Sequence, residues 1–325
     1  MSEIDTPTLR DILRACQIVY RHLRPTPLYP YQGLSDLVGA RVWVKHENHQ
    51  PTGAFKIRGG LNLAANVSEE EKRHGLATAS TGNHGQSIAF AGQVFGIPAL
   101  IAVPEGANPG KVARIRSFGA RLVFHGRDYD EAREWAMAEA QEKGYRYVGP
   151  ADSLLIAGVG TYSLEILEDL PDVEVILVPV GGGSGAAGAC IVAKSINPAI
   201  QVIGVQAEKA PAAYLAWKSG QPATAKMETF AEGLATRTTF ETAQVILRRY
   251  LDDFVLVSED EMKRAIVTYL EETHNLAEGA GAAPLAAALK IKDRLAGKKV
   301  VLVMSGGNLA LSQLRDSLFR ACQPP

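Results

Sequence analysis

Short apolar, β-branched runs at positions 41–45, 99–103, 121–124, 173–180, 201–206, 254–257 and 299–304 alternate with longer stretches rich in Ala, Glu and Lys, such as 129–143 and 259–273. The runs have the length and composition of strands, and the stretches between them have the composition of helices. This alternation predicts an α/β fold with mostly parallel sheets covered on both faces by helices. No internal repeat, low-complexity tract or long linker interrupts it. The composition breaks near Gly149 and Pro150, after a unit over 99–147 with two strand-like runs, each followed by a helical stretch. A small domain over 61–150 is therefore expected beside a large one made of 1–60 and 151–325.

The chain has 325 residues, 46% of them hydrophobic, enough to bury a large core. Its 34 basic and 35 acidic residues are interspersed, giving a formal net charge of −1, which argues against a nucleic-acid-binding surface. A small, near-neutral metabolite is the expected partner. The first residues carry acids and no apolar core of signal-peptide length, and no segment is apolar enough to cross a membrane, so a cytoplasmic protein is expected. Cys16, Cys190 and Cys322 are odd in number and far apart, which fits a reducing compartment and neither a disulfide framework nor a thiolate zinc site.

In open α/β sheets ligands sit beyond the carboxyl ends of the strands, so glycine-rich segments after apolar runs are where chemistry is sought. The first, over 47–60, sets Lys56 beside Phe55, between Gly53 and the pair Gly59 and Gly60. A lysine that forms a Schiff base must be able to lose its proton, which burial promotes; a solvated lysine beside a core phenylalanine is the plainer reading. The second, over 77–91, passes from small and hydroxylated residues into an apolar stretch, so it reads as a loop entering a helix at about Asn83. Ser80, Thr81 and Asn83 would add donors to the free N–H groups of that helix start, although capping alone explains such a loop. His84 by itself reads as a structural histidine.

The third segment, Gly181, Gly182, Gly183, Ser184 and Gly185, follows the run 175–180 and leads into small residues. Strand, glycine loop and helix make an anion cradle, because successive N–H groups point at one place and the helix dipole favours negative charge. The stretch 183–188 also satisfies G-x-G-x-x-G, with Glu208 about twenty residues on, as in a dinucleotide-dependent oxidoreductase. That rival leaves the first two segments unexplained. A fourth segment places Ser305, followed by Gly306, Gly307 and Asn308, at the carboxyl end of the run 299–304. No HExxH or nucleophile elbow is present, and the spacing of His274 and Glu278 reads as a surface or capping pair.

Together, in order and spacing, the four segments resemble the threonine/serine dehydratase and serine racemase branch of the pyridoxal 5′-phosphate enzymes of fold type II. The resemblance covers nearly the whole chain. It implies two open, mostly parallel twisted sheets, each flanked by helices, like the tryptophan synthase β subunit, and pyridoxal phosphate as cofactor. It further implies that Lys56 forms the internal aldimine and is the catalytic base, that Phe55 packs on the pyridine ring, and that Asn83 bonds the ring oxygen. Gly181, Gly182, Gly183, Ser184 and Gly185 would hold the phosphate, Ser305 would meet the ring nitrogen, and Glu278 would lie near the cofactor. Ser80, Thr81, Gly82 and His84 would surround the substrate carboxylate. The implied reaction removes water, then ammonia, from L-threonine or L-serine; 3-hydroxyaspartate, phenylserine and serine racemisation remain alternatives, and a homodimer is expected.

The chain departs from this pattern in places. Ala54 stands where the family commonly has serine. Thr81 stands where racemases carry the hydroxyl serving the opposite substrate face, and its stiffer secondary hydroxyl argues against racemisation. The divalent-cation site of part of the family needs acids where this chain has Gln206 and Ala212, so no tightly bound metal is expected. The chain ends soon after Ser305, so no C-terminal regulatory domain is expected.

Overall fold

Ten strands form in the computed structural model, which describes residues 5–107 and 109–321; Cys322 lies outside the described residues. They are β1 (Leu28–Pro30), β2 (Arg41–His46), β3 (Leu76–Ala79), β4 (Ala99–Val103), β5 (Arg121–Phe124), β6 (Arg146–Tyr147), β7 (Val175–Pro179), β8 (Gln201–Ala207), β9 (Asp253–Val257) and β10 (Lys299–Met304). One sheet has the order β1-β2-β10-β7-β8-β9 and the other β5-β4-β3-β6. Every pairing is parallel except β1 with β2. The chain is thus α/β with two mostly parallel sheets, as the alternation predicts.

The larger sheet is covered on both faces. Along β7, Val175 and Leu177 enter a core shared with the Ala-rich helix Gly279–Lys290, whereas Ile176 and Val178 enter one shared with the small-residue helix Ser184–Ile196. Alternate residues of a strand point to opposite faces, so burying both faces demands an unbroken apolar run, which 175–180 supplies. Both helices are apolar nearly all round, as helices enclosed on every side must be.

Three strands escape the sequence pattern. The segment 77–82 reads as a loop, yet Leu76–Ala79 is a fully buried strand between β4 and β6. Its residues are small because the helices Asn83–Phe95 and Tyr129–Lys143 both pack against it. The strands β1 and β6 are three and two residues long, too short for any periodicity to register. The helices Tyr129–Lys143 and Glu259–Thr273 form with the expected limits, the first capped by Asp128 and the second by a Ser258–Glu261 capping box. The expected helical spacing of His274 and Glu278 does not occur. His274 ends one helix in the left-handed region, with φ at 56°, and Glu278 begins the next.

Candidate active site

The strands β2, β10 and β7 run side by side in parallel, so their carboxyl ends open on one edge. Beyond that edge and the end of β3 lies a cavity of ≈ 300 Å³ lined by Phe55, Lys56, Ser80, Thr81, Gly82, Asn83, His84, Gly181, Gly182, Gly183, Ser184, Gly185, Glu278 and Ser305. Every sequence-predicted site residue therefore faces a single space.

Lys56 opens the helix Lys56–Asn66, and its Nζ donates to Ser184 Oγ at 2.7 Å and to Pro150 O at 3.4 Å. Burial brings its pKa from an ordinary 10.5 down to about 8, because a charged ammonium loses hydration there without gaining a carboxylate. Phe55 stands beside it, 5.2 Å from ring centroid to Nζ, and meets Tyr162 edge to face. Tyr162 in turn donates to Gly185 O at 2.9 Å and so ties the glycine loop to this aromatic pair.

The loop between β7 and the helix Ser184–Ile196 turns at Gly183, whose φ of +88° suits glycine. The first N–H groups of any helix lack intrahelical partners, so this start presents donors to the cavity. Ser305 follows β10, is 4% exposed, and accepts from Phe55 N–H through its carbonyl, leaving the hydroxyl at the cavity wall. An anion cradle, one lysine of lowered pKa and a neutral hydroxyl on a common wall form the donor set that pyridoxal phosphate requires. The residues fit that cofactor.

Asn83 opens the helix Asn83–Phe95, as its sequence context predicts, and donates through Nδ2 to Glu278 Oε1 at 2.8 Å. Burial pushes the Glu278 carboxyl up to about 7, against the Asn83 hydrogen bond and the charge of Lys111, which pull it down. His84 Nε2 lies 3.1 Å from Val148 O, and burial together with the nearby Lys56 charge lowers its pKa to about 4. The imidazole is therefore neutral, donates from Nε2 to that carbonyl, and offers Nδ1 only as an acceptor. It adds no positive charge to the cavity.

Two further groups are not singled out by the sequence pattern. Tyr129, Asp130, Arg133 and Arg237 line the outer part of the cavity. Arg237 pairs with Asp130 at 2.7 Å, whereas Arg133 Nε is buried without a hydrogen-bond partner among the described residues. On Tyr129–Lys143, Arg133 resembles any polar residue of a helix surface. Beneath the lysine helix, Arg58 donates from Nε and Nη2 to Glu47 at 2.7 and 2.8 Å, and from Nη1 and Nη2 to Glu165 at 2.6 and 2.9 Å. Lys45 meets Glu165 at 2.6 Å, and all four side chains are essentially without solvent contact. Charges at 45 and 47, at the end of an apolar run, are the one local hint of this cluster.

Residues 19–306 match the family described as pyridoxal-phosphate dependent enzyme. The L-threonine ammonia-lyase of Thermotoga maritima is 41% identical over 309 residues, 94% of this chain and 77% of that protein. Among solved structures, the processed form of threonine deaminase isoform 2 from Solanum lycopersicum superposes with a TM-score of 0.92 at 32% identity, covering 97% of this chain and 92% of that one. Serine racemase from Dictyostelium discoideum superposes with a TM-score of 0.88 at 34% identity, covering 94% and 100%.

Proposed function

Because the chain belongs to the pyridoxal-phosphate dependent enzyme family, we propose that it is an ammonia-lyase of the threonine/serine dehydratase type, with L-threonine and L-serine as substrates and Lys56 as the catalytic residue. The observation that carries this is the placement of Lys56 Nζ 2.7 Å from Ser184, inside the glycine loop and within the common cavity.

When bound, pyridoxal phosphate supplies a sink for negative charge developing at the substrate α-carbon. The N–H groups of the loop 181–185 would hold the phosphate, and Phe55 would pack against the ring. Ser305 would offer the ring nitrogen a neutral hydroxyl, which could not keep a full proton there as a carboxylate would. The sink is thereby weakened, which favours reactions that discharge the carbanion at once by expelling a β-hydroxyl. Ser80, Thr81 and Gly82 would hold the substrate carboxylate, and Asn83, which donates to Glu278, would also bond the cofactor's ring oxygen. Lys56, neutral above about pH 8, takes the α-proton on Nζ. The net reaction would remove the α-hydrogen and β-hydroxyl as water, and hydrolysis of the resulting enamine, which takes up one water, would yield a 2-oxo acid and ammonia.

The reading includes a homodimer and a cytoplasmic location, supported by the family resemblance and by the free thiols Cys16 and Cys190; no helix among the described residues is long and apolar enough to cross a membrane. It also keeps the domain division at 1–60 with 151–325 and 61–150, supported by the assignment of β3 to β6 to a sheet of their own.

Purified protein incubated with pyridoxal phosphate should gain a visible absorbance band and release 2-oxo acid and ammonia in equal amounts from L-threonine or L-serine. Capture of the cofactor by the apoprotein needs a neutral amine. Its rate should therefore rise with pH and level off above about 8, well short of the ordinary lysine value of 10.5. A protein that takes up no cofactor, or takes it up without turning over either amino acid, would overturn the proposal.

A second substrate reading is favoured by one observation, the Arg133 side chain lining the cavity together with the Arg237–Asp130 pair. A guanidinium there suits a β-hydroxy amino acid bearing a second carboxylate, such as 3-hydroxyaspartate. If so, Arg133→Gln should lower kcat/KM for 3-hydroxyaspartate by about 10- to 100-fold, as expected for a charge-assisted contact of 1.5–3 kcal/mol, and change that for L-threonine far less. Equal losses on both substrates would remove this second reading.

A further inference from the structure

The helix Pro109–Ser117 packs against the helix Asn83–Phe95 on the side of the four-stranded sheet, and from it the Arg114 guanidinium donates to Asn308 Oδ1. Asn308 belongs to the segment after β10 of the other sheet, so this contact bridges the two halves of the fold. The nitrogen end of the same amide donates to Thr52 O and to Asn83 Oδ1, both at 2.8 Å. Asn83 completes the series by donating from Nδ2 to Glu278 Oε1 at 2.8 Å.

A primary amide accepts at one end and donates at the other, so the direction of such a chain is set by its outermost members. Were Asn308 reversed, its NH2 would face the Arg114 donor and its oxygen would face the Thr52 carbonyl, two repulsive pairings in place of two hydrogen bonds. Arg114 and the Thr52 carbonyl thus fix which way Asn308 points. Asn308 then fixes Asn83, whose oxygen must receive Asn308 Nδ2 and whose NH2 is left turned toward Glu278 and the cavity. The site is shaped for this amide: a Cβ on Gly53 would lie 2.7 Å from Asn308 Oδ1, and glycine at that place, with φ at +70°, leaves the room. Linked hydrogen bonds also polarise one another, so a cation at one end strengthens the donors down the series.

We propose that Arg114 is a positioning residue which, acting through Asn308, holds the Asn83 amide in the orientation that serves the cofactor. The inference rests on the reading of the site as a pyridoxal-phosphate lyase. Arg114 is exposed and touches none of the reacting groups, so removing it leaves no buried gap.

The test compares the holoenzyme with Arg114→Ala, Arg114→Lys, Asn308→Ala and the double variant, reading kcat and KM for L-threonine, the visible spectrum of the bound cofactor, and thermal stability. Arg114→Ala should lower kcat by about tenfold, the worth of one charge-assisted hydrogen bond, and alter the cofactor's visible band, while the melting temperature stays near that of the parent. Arg114→Lys, which keeps a cationic donor, should recover most of both. The double variant should be no worse than Asn308→Ala alone, since residues that act in series are not additive. An Arg114→Ala enzyme with the parent's kcat and spectrum, or one whose loss persists in full on top of Asn308→Ala, would overturn the proposal. A parent protein without cofactor band or turnover would instead overturn the lyase reading itself.

Discussion

Lys56→Ala should lose turnover by roughly 10³-fold or more, the scale expected when one group serves as both the covalent tether and the base. The variant should also fail to give the visible band that the parent gives with pyridoxal phosphate. Its folding should not suffer, and the physical state of the lysine explains why. Burial alone lowers the Lys56 pKa to about 8, so the charged form is less stable in place than in water, and no carboxylate rewards it. A lowered amine pKa contributes an unfavourable term that is present at acid pH and fades as pH rises through 8 toward the ordinary 10.5. Removing the amine should leave the apoprotein's melting temperature unchanged or raised, more so at pH 6 than at pH 9. A variant retaining a tenth of the parent rate, or one that keeps the visible band, would end the assignment of Lys56.

Arg58→Ala should be the most damaging single change to stability. It leaves Glu47 and Glu165, both stripped of solvent, facing each other with only Lys45 nearby. Breaking a buried ion pair by removing one partner costs about 3–5 kcal/mol, because the remaining charge keeps its desolvation cost and loses its compensation. For a chain of this size the melting temperature should fall by roughly 4–7 °C. The sign of the pH dependence offers a sharper check. Burial pushes the Glu47 carboxyl up, but Arg58, Lys45 and the hydrogen bond from Thr26 together outweigh it and hold it below the ordinary 4.5. A depressed carboxyl contributes stability that is complete above 4.5 and is lost as pH falls through its lower folded value. Without Arg58 the burial effect is far less opposed, and the carboxyl should favour its neutral form. Acidification toward pH 4.5, which leaves this contribution intact in the parent, should then strengthen the variant. Matching melting temperatures, or the same slope with pH in both proteins, would show that the cluster contributes little.

Much of the candidate site was legible because in parallel α/β folds position along the chain and position in space are linked. Strand ends converge on one edge, so three glycine-bearing segments that each follow an apolar run can be assigned to one place before any coordinate is known. Lys56, the loop 181–185 and Ser305 follow from that rule, and Asn83 follows from the helix-start chemistry around it. The buried cluster does not, since Glu47, Arg58 and Glu165 are separated by 11 and 107 residues and share no period. Arg133 was hidden for another reason. One face of its helix borders a wet cavity instead of open solvent, and both environments select the same polar residues. The strand β3 was missed because its stability comes from neighbours on both sides, not from its own Leu-Ala-Thr-Ala composition. For His84, the neighbouring carbonyl and the burial settle its charge, and neither leaves a mark in a linear pattern.

The position of β10 in the larger sheet bears on how the protein comes into being. It follows every other strand in the sequence, yet it lies between β2 and β7. During translation the first strands leave the ribosome long before the one that joins them, and the nascent chain must wait with β2 and β7 unlinked. Ser305 and Asn308 emerge later still, so no growing chain can offer a complete cofactor pocket. Pairings this remote along the sequence are slow to form and leave sheet edges open meanwhile. Until β10 and the residues after it have emerged, the larger sheet therefore lacks a central strand and the chain has no complete place for the cofactor.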